Sequence, residues 1–351
     1  MKTLLTLALV VLSQGEQTTL NTVAMKHIPL KKLKQTPGLL NFLSSTQNSQ
    51  KFLETKNQIK LKNYSNTQFV GQVGVGDPPQ YLDVIFDTGS ANFWVNSKLC
   101  HDFACESHKA YDHALSSAYS PLHKAIQVEF GTGKIKGEIN SDTVTLAGIQ
   151  IPNQKFGEIT DEVGEVFVEG KFSGILGLGF PSMAAFGFLP VFDSIIKQSL
   201  LSSNIISFYY SFKNSEDSFV TLGATDPSKY DPPIYWQEVI KGHEYYWLIE
   251  VEDILVGEKS LGLCPEGCKA AVDTGTSLLT APSEQLRRTM QALSLNCKEM
   301  DSMPSLAFLI GGVKFELEAK DYLMTEETPG VHKSNTECAL AVMPLDVPGP
   351  Q

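Results

Sequence analysis

Two aspartates, Asp87 and Asp273, stand 186 residues apart in near-identical surroundings. Val84-Ile85-Phe86-Asp87-Thr88-Gly89-Ser90 recurs as Ala270-Ala271-Val272-Asp273-Thr274-Gly275-Thr276-Ser277. In each copy an apolar run leads into Asp-Thr-Gly. That puts a carboxylate at the end of a buried strand, where it is costly unless it is paired or at work. A single Asp-Thr-Gly reads equally well as a strand-end turn. Two copies, one in each half of the chain, point to a duplicated two-lobe body whose carboxylates meet across a pseudo-twofold axis. Like charges so close cannot both ionise, so in acid the pair holds one proton. The ionised member takes a proton from water while the protonated one polarises a carbonyl, and water attacks without a covalent intermediate.

The neighbours fit that chemistry. Gly89 and Gly275 let backbone approach the carboxylates and offer bare N–H donors. Thr88 and Thr274 are placed to hydrogen-bond across the lobe boundary, and Ser90 and Thr276 to donate to the outer oxygen of their own aspartate. Other chemistries fail on particular residues. His243-Glu244-Tyr245-Tyr246-Trp247 lacks the second histidine of a zinc-protease helix. Gly131-Thr132-Gly133-Lys134 resembles part of a phosphate loop, but Val128 and Ile135 stand where that loop needs other residues. No G-x-S-x-G elbow occurs. No metal and no cofactor is called for.

The elements that must carry these residues are strands. Hydrophobic residues make up 42% and charged residues 19% of 351 positions, a globular composition with room for about two domains. From about Gln68 onward, short β-rich runs are broken by glycine and proline: 69–76, 81–86, 126–130, 207–212 and 219–222. Convincing helices are few, at 189–200 after Pro190 and at 283–293 with Ser283 as its cap. The expectation is an all-β, two-lobed architecture.

The first 15 residues place Lys2 before an apolar stretch ending in Ser13-Gln14-Gly15, the order of a secretory signal peptide. Residues 26–56 mix lysines with Leu30, Leu33, Leu39, Leu40, Phe42 and Leu43, an amphipathic and partly helical pattern. Residues 16–56 carry a net charge of +4 and residues 57–351 a net −16. A basic leader on an acidic body suggests that the two attract each other. The acidic body excludes a nucleic-acid partner, and no later stretch is apolar enough for a membrane span. Six cysteines suit an exported chain. Proximity favours pairing Cys100 with Cys105, Cys264 with Cys268 and Cys297 with Cys338, among 15 possible connectivities. No C-x-x-C occurs and no histidines sit at ligand spacing, which removes the zinc alternative.

On these motifs the chain resembles the pepsin-like aspartic proteases (pepsin, gastricsin, cathepsins D and E), almost continuously from 26 to 348. Asp87 to Val95 is similar to that family's first active-site motif and Ala271 to Leu279 to its second. Gly174-Ile175-Leu176-Gly177-Leu178-Gly179 is similar to the strand that crosses beneath the first aspartate. The six cysteines fall where the family's three bridges lie, in the pairing above. The resemblance implies a bilobal fold with a signal peptide at 1–15, an inhibitory propeptide at 16–57, an N-terminal lobe at 58–225 and a C-terminal lobe at 226–351. It implies an endopeptidase zymogen, active in acid on peptide and protein substrates, monomeric, and secreted or delivered to a lysosome or vacuole. Phe130-Gly131-Thr132-Gly133 matches the family's flap hairpin, with phenylalanine where tyrosine is usual. That substitution removes a hydroxyl partner from Trp94, so a looser flap and slower turnover are expected. Ile85, Phe167 and Phe172 map to the main specificity pocket and imply bulky apolar side chains at the cut. Lys51, in Ser49-Gln50-Lys51-Phe52, matches the lysine that sits on the catalytic pair in the zymogen. Asn63-Tyr64-Ser65 is a glycosylation sequon.

The chain departs from the pattern near its end. A Trp-Ile-Leu-Gly segment and closing strands are expected after Pro348, and Leu309-Ile310-Gly311 matches an earlier strand rather than the crossing beneath Asp273. The alternative reading is therefore a weakly active or inactive protein that grips peptides without cutting them.

Overall fold

A computed structural model describes residues 22–25, 57–130, 133–211, 218–242, 244–294, 296–297, 299–324 and 338–346. The signal peptide, most of the leader including Lys51, and the loop residues Gly131 and Thr132 lie outside the described residues. The fold is all-β and bilobal, with few helices.

Strand β1 (Thr22–Met25), in the leader, pairs antiparallel with β12 (Tyr235–Glu238) of the second half. The first half builds one ten-stranded sheet from β2 (Gln58–Tyr64), β3 (Gln68–Val75), β4 (Gln80–Asp87), β5 (Phe93–Asn96), β6 (Ser120–Phe130), β7 (Gly133–Leu146), β8 (Ile149–Val163), β9 (Gly174–Gly177), β10 (Ile206–Tyr209) and β11 (Ser218–Leu222). The spatial order is β10-β11-β2-β3-β4-β9-β5-β8-β7-β6. Alternation explains β4: Leu82, Val84 and Phe86 are buried, while Tyr81 is exposed and Asp83 and Ile85 are half-buried. Strand β9 runs parallel to β4 with Asp87 opposite Gly177, and lies between β4 and β5. This is the crossing beneath the first aspartate.

The second half uses smaller sheets. Strand β13 (Leu248–Val251) pairs with β16 (Cys268–Ala271). Strands β15 (Lys259–Ser260), β14 (Asp253–Val256), β18 (Leu306–Ile310) and β19 (Val313–Leu317) form a sheet in that order. Strand β17 (Leu279–Ala281) runs parallel to β22 (Val342–Pro344), as β5 runs parallel to β8 in the first half. A short ladder joins β20 (Leu323–Met324) to β21 (Ala339–Leu340). Leu309 and Ile310 belong to β18, between β14 and β19, and do not cross beneath Asp273.

One apolar core spans both halves, joining Val84, Phe86, Phe93, Leu176 and Leu178 to Trp247, Ile249, Val272 and Ile310. Trp247 donates its indole N–H to Leu178 O at 2.9 Å and packs on Phe180 with ring centroids 4.3 Å apart. Phe180 N donates to Tyr245 O at 3.3 Å. The segment whose sequence approaches a zinc-protease motif is thus a strut between the halves.

The helices are α1 (Phe103–Glu106), α2 (Glu165–Glu169), α3 (Val191–Lys197), α4 (Ser283–Leu293) and α5 (Ala319–Tyr322). Two expectations are corrected. The helix expected over 189–200 is shorter, because Pro190 holds the N-cap position and the chain leaves helical geometry after Lys197. Ser283 is not the cap of α4 but its first helical residue, after Pro282. The cap comes from Asp346, which accepts from Ser283 N at 2.8 Å and from Ser283 Oγ at 2.5 Å. Long-range pairing of β22 with β17 delivers Asp346 there, a contact no local pattern encodes.

All three proximity-favoured disulfides are formed: Cys100–Cys105, Cys264–Cys268 and Cys297–Cys338. Among the described residues no helix is long and apolar enough to cross a membrane.

Candidate active site

Each Asp-Thr-Gly turn supplies one donor to each oxygen of its own carboxylate. Asp87 Oδ1 accepts from Gly89 N at 2.8 Å and Oδ2 from Ser90 Oγ at 2.5 Å. Asp273 Oδ1 accepts from Gly275 N at 2.8 Å and Oδ2 from Thr276 Oγ1 at 2.6 Å. The donor sets are the same in both halves, as the internal repeat predicts.

The turns are then bolted to each other. Thr88 Oγ1 donates to Val272 O at 2.7 Å, and Thr274 Oγ1 donates to Phe86 O at 2.6 Å. Thr88 N donates to Thr274 Oγ1 at 3.0 Å, and Thr274 N donates to Thr88 Oγ1 at 2.9 Å. Four reciprocal bonds hold the ends of the two strands in register, so the carboxylates they carry must converge. The glycines measure that convergence. A Cβ on Gly89 would stand 2.5 Å from Asp273 Oδ2, and one on Gly275 would collide with Asp87 Oδ1. Only bare backbone fits on each side.

Electrostatics follow from the geometry. Asp87 is 9% exposed, and burial raises its pKa well above the usual carboxylate range. The neighbouring charge of Asp273 raises it further, while Ser90 and Gly89 pull it back. Asp273 is more open, with Gly275 and Thr276 both exposed. The more enclosed Asp87 is thus the member whose proton is held more tightly than an ordinary carboxylate's.

Two further contacts escaped sequence reasoning. Ser277 Oγ donates to Thr67 O at 2.6 Å, a third tie between the halves. Tyr210 is enclosed near both aspartates and meets Thr274, so burial first and the two carboxylates second push its pKa up. Its ring also packs on Phe69, with centroids 4.5 Å apart. An aromatic pair in a strand carries no signal of such a position.

The β6–β7 ladder runs to the pair Phe130 and Gly133, at the described end of the hairpin expected to be the flap. Trp94, Phe167 and Phe172 gather with Ile126, Ile135 and Ile159 in a second apolar cluster, and Ile85 packs against it. Trp94 is 2% exposed and meets Phe167 and Phe172 edge-on, at centroid distances of 6.0 and 6.4 Å. It is thus held by packing despite the absent tyrosine hydroxyl. Asn63 lies at the β2–β3 hairpin, where its amide nitrogen donates to Asn66 Oδ1 at 2.5 Å and to Ser211 O at 3.3 Å.

A two-lobed β fold, two mirrored Asp-Thr-Gly turns and their shared threonine lattice define a class of hydrolase. The sequence profile of the eukaryotic aspartyl protease family matches residues 68–348, and the chain belongs to that family. Among its curated relatives, renin of Rattus norvegicus is 38% identical over 312 residues, covering 85% of this chain and 76% of that protein. Cathepsin E of Mus musculus is 36% identical over 301 residues, covering 83% and 74%. Cathepsin D of Gallus gallus is 36% identical over 304 residues, covering 83% and 75%.

Proposed function

We propose that the chain is the zymogen of an aspartic endopeptidase that hydrolyses peptide bonds in acid. The observation that supports this reading is the reciprocal threonine lattice, which ties together the two turns carrying Asp87 and Asp273. Asp273, the partner carboxylate, takes a proton from the attacking water. Asp87, kept protonated by burial, donates to the carbonyl oxygen of the scissile bond. Water attacks directly, and the tetrahedral intermediate collapses as the leaving nitrogen takes up a proton.

The substrate groups bound beside the dyad are bulky and apolar, a reading supported by half-buried Ile85 at the edge of the Trp94, Phe167 and Phe172 cluster and by Phe167 lying against Gly133 at the base of the expected flap. We assign 1–15 as signal peptide, 16–57 as propeptide, 58–225 as the N-terminal lobe and 226–351 as the C-terminal lobe. The leader inhibits in cis: the Lys51 ammonium neutralises the dyad, and acid releases it by protonating the body's carboxylates. The mature enzyme works as a monomer in the secretory route, outside the cell or in an acidic vesicle. A merely peptide-gripping role is the weaker reading, since both Asp-Thr-Gly turns keep the local donors to their aspartates.

Digestion of haemoglobin at about pH 3–4, with and without pepstatin, tests the assignment. Pepstatin-sensitive cleavage that disappears in Asp87→Ala supports it. Silence from a sample that folds and binds pepstatin rejects it.

A further inference from the structure

His108 sits outside the catalytic pair, yet both of its ring nitrogens are engaged. Nδ1 lies 2.7 Å from Ala104 O in α1, and Nε2 lies 2.7 Å from Gly170 O at the C-terminal cap of α2. Ser107 Oγ stands 3.1 Å from Nδ1 and itself donates to Ala104 O at 2.7 Å. A carbonyl oxygen only accepts, so both contacts are hydrogen bonds only when both nitrogens carry protons. A neutral ring keeps one bond and turns a lone pair against the other carbonyl.

The two carbonyls matter because of what they adjoin. Ala104 is buried in the apolar cluster of Trp94, Phe167 and Phe172. Gly170 separates Phe167, on α2, from Phe172, and these two rings meet edge-on with centroids 6.4 Å apart. We infer that doubly protonated His108 is a positioning residue, a clamp that draws α2 toward α1 and sets the Phe167–Phe172 wall of the cleft, so that substrate binding weakens as the ring loses a proton. This rests on the proposed reading of that wall as a substrate contact.

Charged groups surround the ring. His108 lines an open cavity of about 270 Å³ with Tyr64, Asp83, Lys109, Lys171 and the hydroxyls of Ser107 and Ser173. Asp83 favours the charged ring but is paired with Lys62 at 2.9 Å, while Lys109 and Lys171 oppose it. The helices on either side add the carboxylates of Glu106, Glu165 and Glu169. Asp102, which precedes α1, accepts from Glu162 N at 2.8 Å and adds one more carboxylate beside Glu162.

The test combines a direct and a kinetic measurement on the acid-treated full-length chain. Nitrogen-15 NMR of histidine-labelled protein at pH 4.5 is expected to show two protonated ring nitrogens with slowly exchanging N–H protons. A ring with one bare nitrogen overturns the clamp. With a peptide carrying phenylalanine at the cut, KM between pH 3.5 and 6.5 is expected to rise about two- to tenfold, the worth of one hydrogen bond. The value of kcat should follow the dyad alone. His108→Gln should show the raised KM already in acid, and His108→Arg, a donor that does not titrate, should keep KM low and flat. Glu162→Gln should retain the wild-type profile. A wild-type KM profile in His108→Gln, or an effect confined to kcat, rejects the inference. If His108→Gln does not fold, His108→Arg and the NMR measurement decide. If the protein cleaves nothing, the protease reading fails separately, and the dissociation constant of the same peptide replaces KM.

Discussion

Thr88 and Thr274 exchange hydrogen bonds across the lobe boundary, each hydroxyl reaching a carbonyl on the strand that carries the other's aspartate. The pairing is symmetric to within 0.1 Å in its hydroxyl bonds, 2.7 against 2.6 Å. It makes the separation of the carboxylates a property of backbone rather than of side-chain rotamers.

Thr88→Val keeps the branched shape and removes the hydroxyl. It leaves Val272 O without its donor and Thr274 N without its acceptor, at a cost of roughly 1–3 kcal/mol for buried polar groups left unpaired. Stability measured by denaturant unfolding should fall by that amount, and turnover should fall more than tenfold because the dyad loosens. Thr88→Ser should recover most of both.

Gly89→Ala is expected to abolish turnover while the fold survives. Its Cβ would lie 2.5 Å from Asp273 Oδ2, closer than any real contact, and would push the second carboxylate out of place. The check is kcat beside a thermal melt. Turnover above a tenth of wild type contradicts the geometry.

Stability should fall as pH rises from about 4 toward neutrality. Burial raises the pKa of Asp87, that of Glu162 to about 7 and that of Asp193 to about 6. A carboxyl whose folded pKa lies above its unfolded value binds more protons when folded. Its contribution is complete below the unfolded pKa of about 4 and is lost as pH passes through the folded one. The melting temperature should therefore decline between pH 4 and 7, and Glu162→Gln should flatten the upper part of that decline.

Asp346 should behave in the opposite sense. The Ser283 hydroxyl and N–H hold its pKa below the usual carboxylate range, so its capping of α4 is present above the unfolded pKa and fades as pH drops. Asp346→Ala should lower the denaturant midpoint at pH 6 and do little at pH 3, with turnover unchanged at both.

Much of the site was legible because it is local and duplicated. The oxygens of Asp87 and Asp273 are satisfied by residues two and three positions on, so Gly89, Ser90, Gly275 and Thr276 were readable from spacing. The strand leading to Asp87 was readable from alternation. The α4 cap was misread, since the rule favouring serine at helix starts is local and the actual cap comes from 63 residues away. Ser277 on Thr67, Tyr210 beneath the dyad and His108 between two helices left no trace, for no pattern in one dimension says which strands become neighbours.

The sequence by itself determined that two equivalent acidic turns exist, that strands carry them and which family they belong to, because each turn's hydrogen bonds close within three or four residues. Tertiary structure alone decided that Asp87 is buried while Asp273 is half-buried, how the threonines tie the turns together, and what surrounds them. Burial and charge coupling depend on distances set by long-range packing, and residues 186 apart come into hydrogen-bond contact only after the backbone has brought them together.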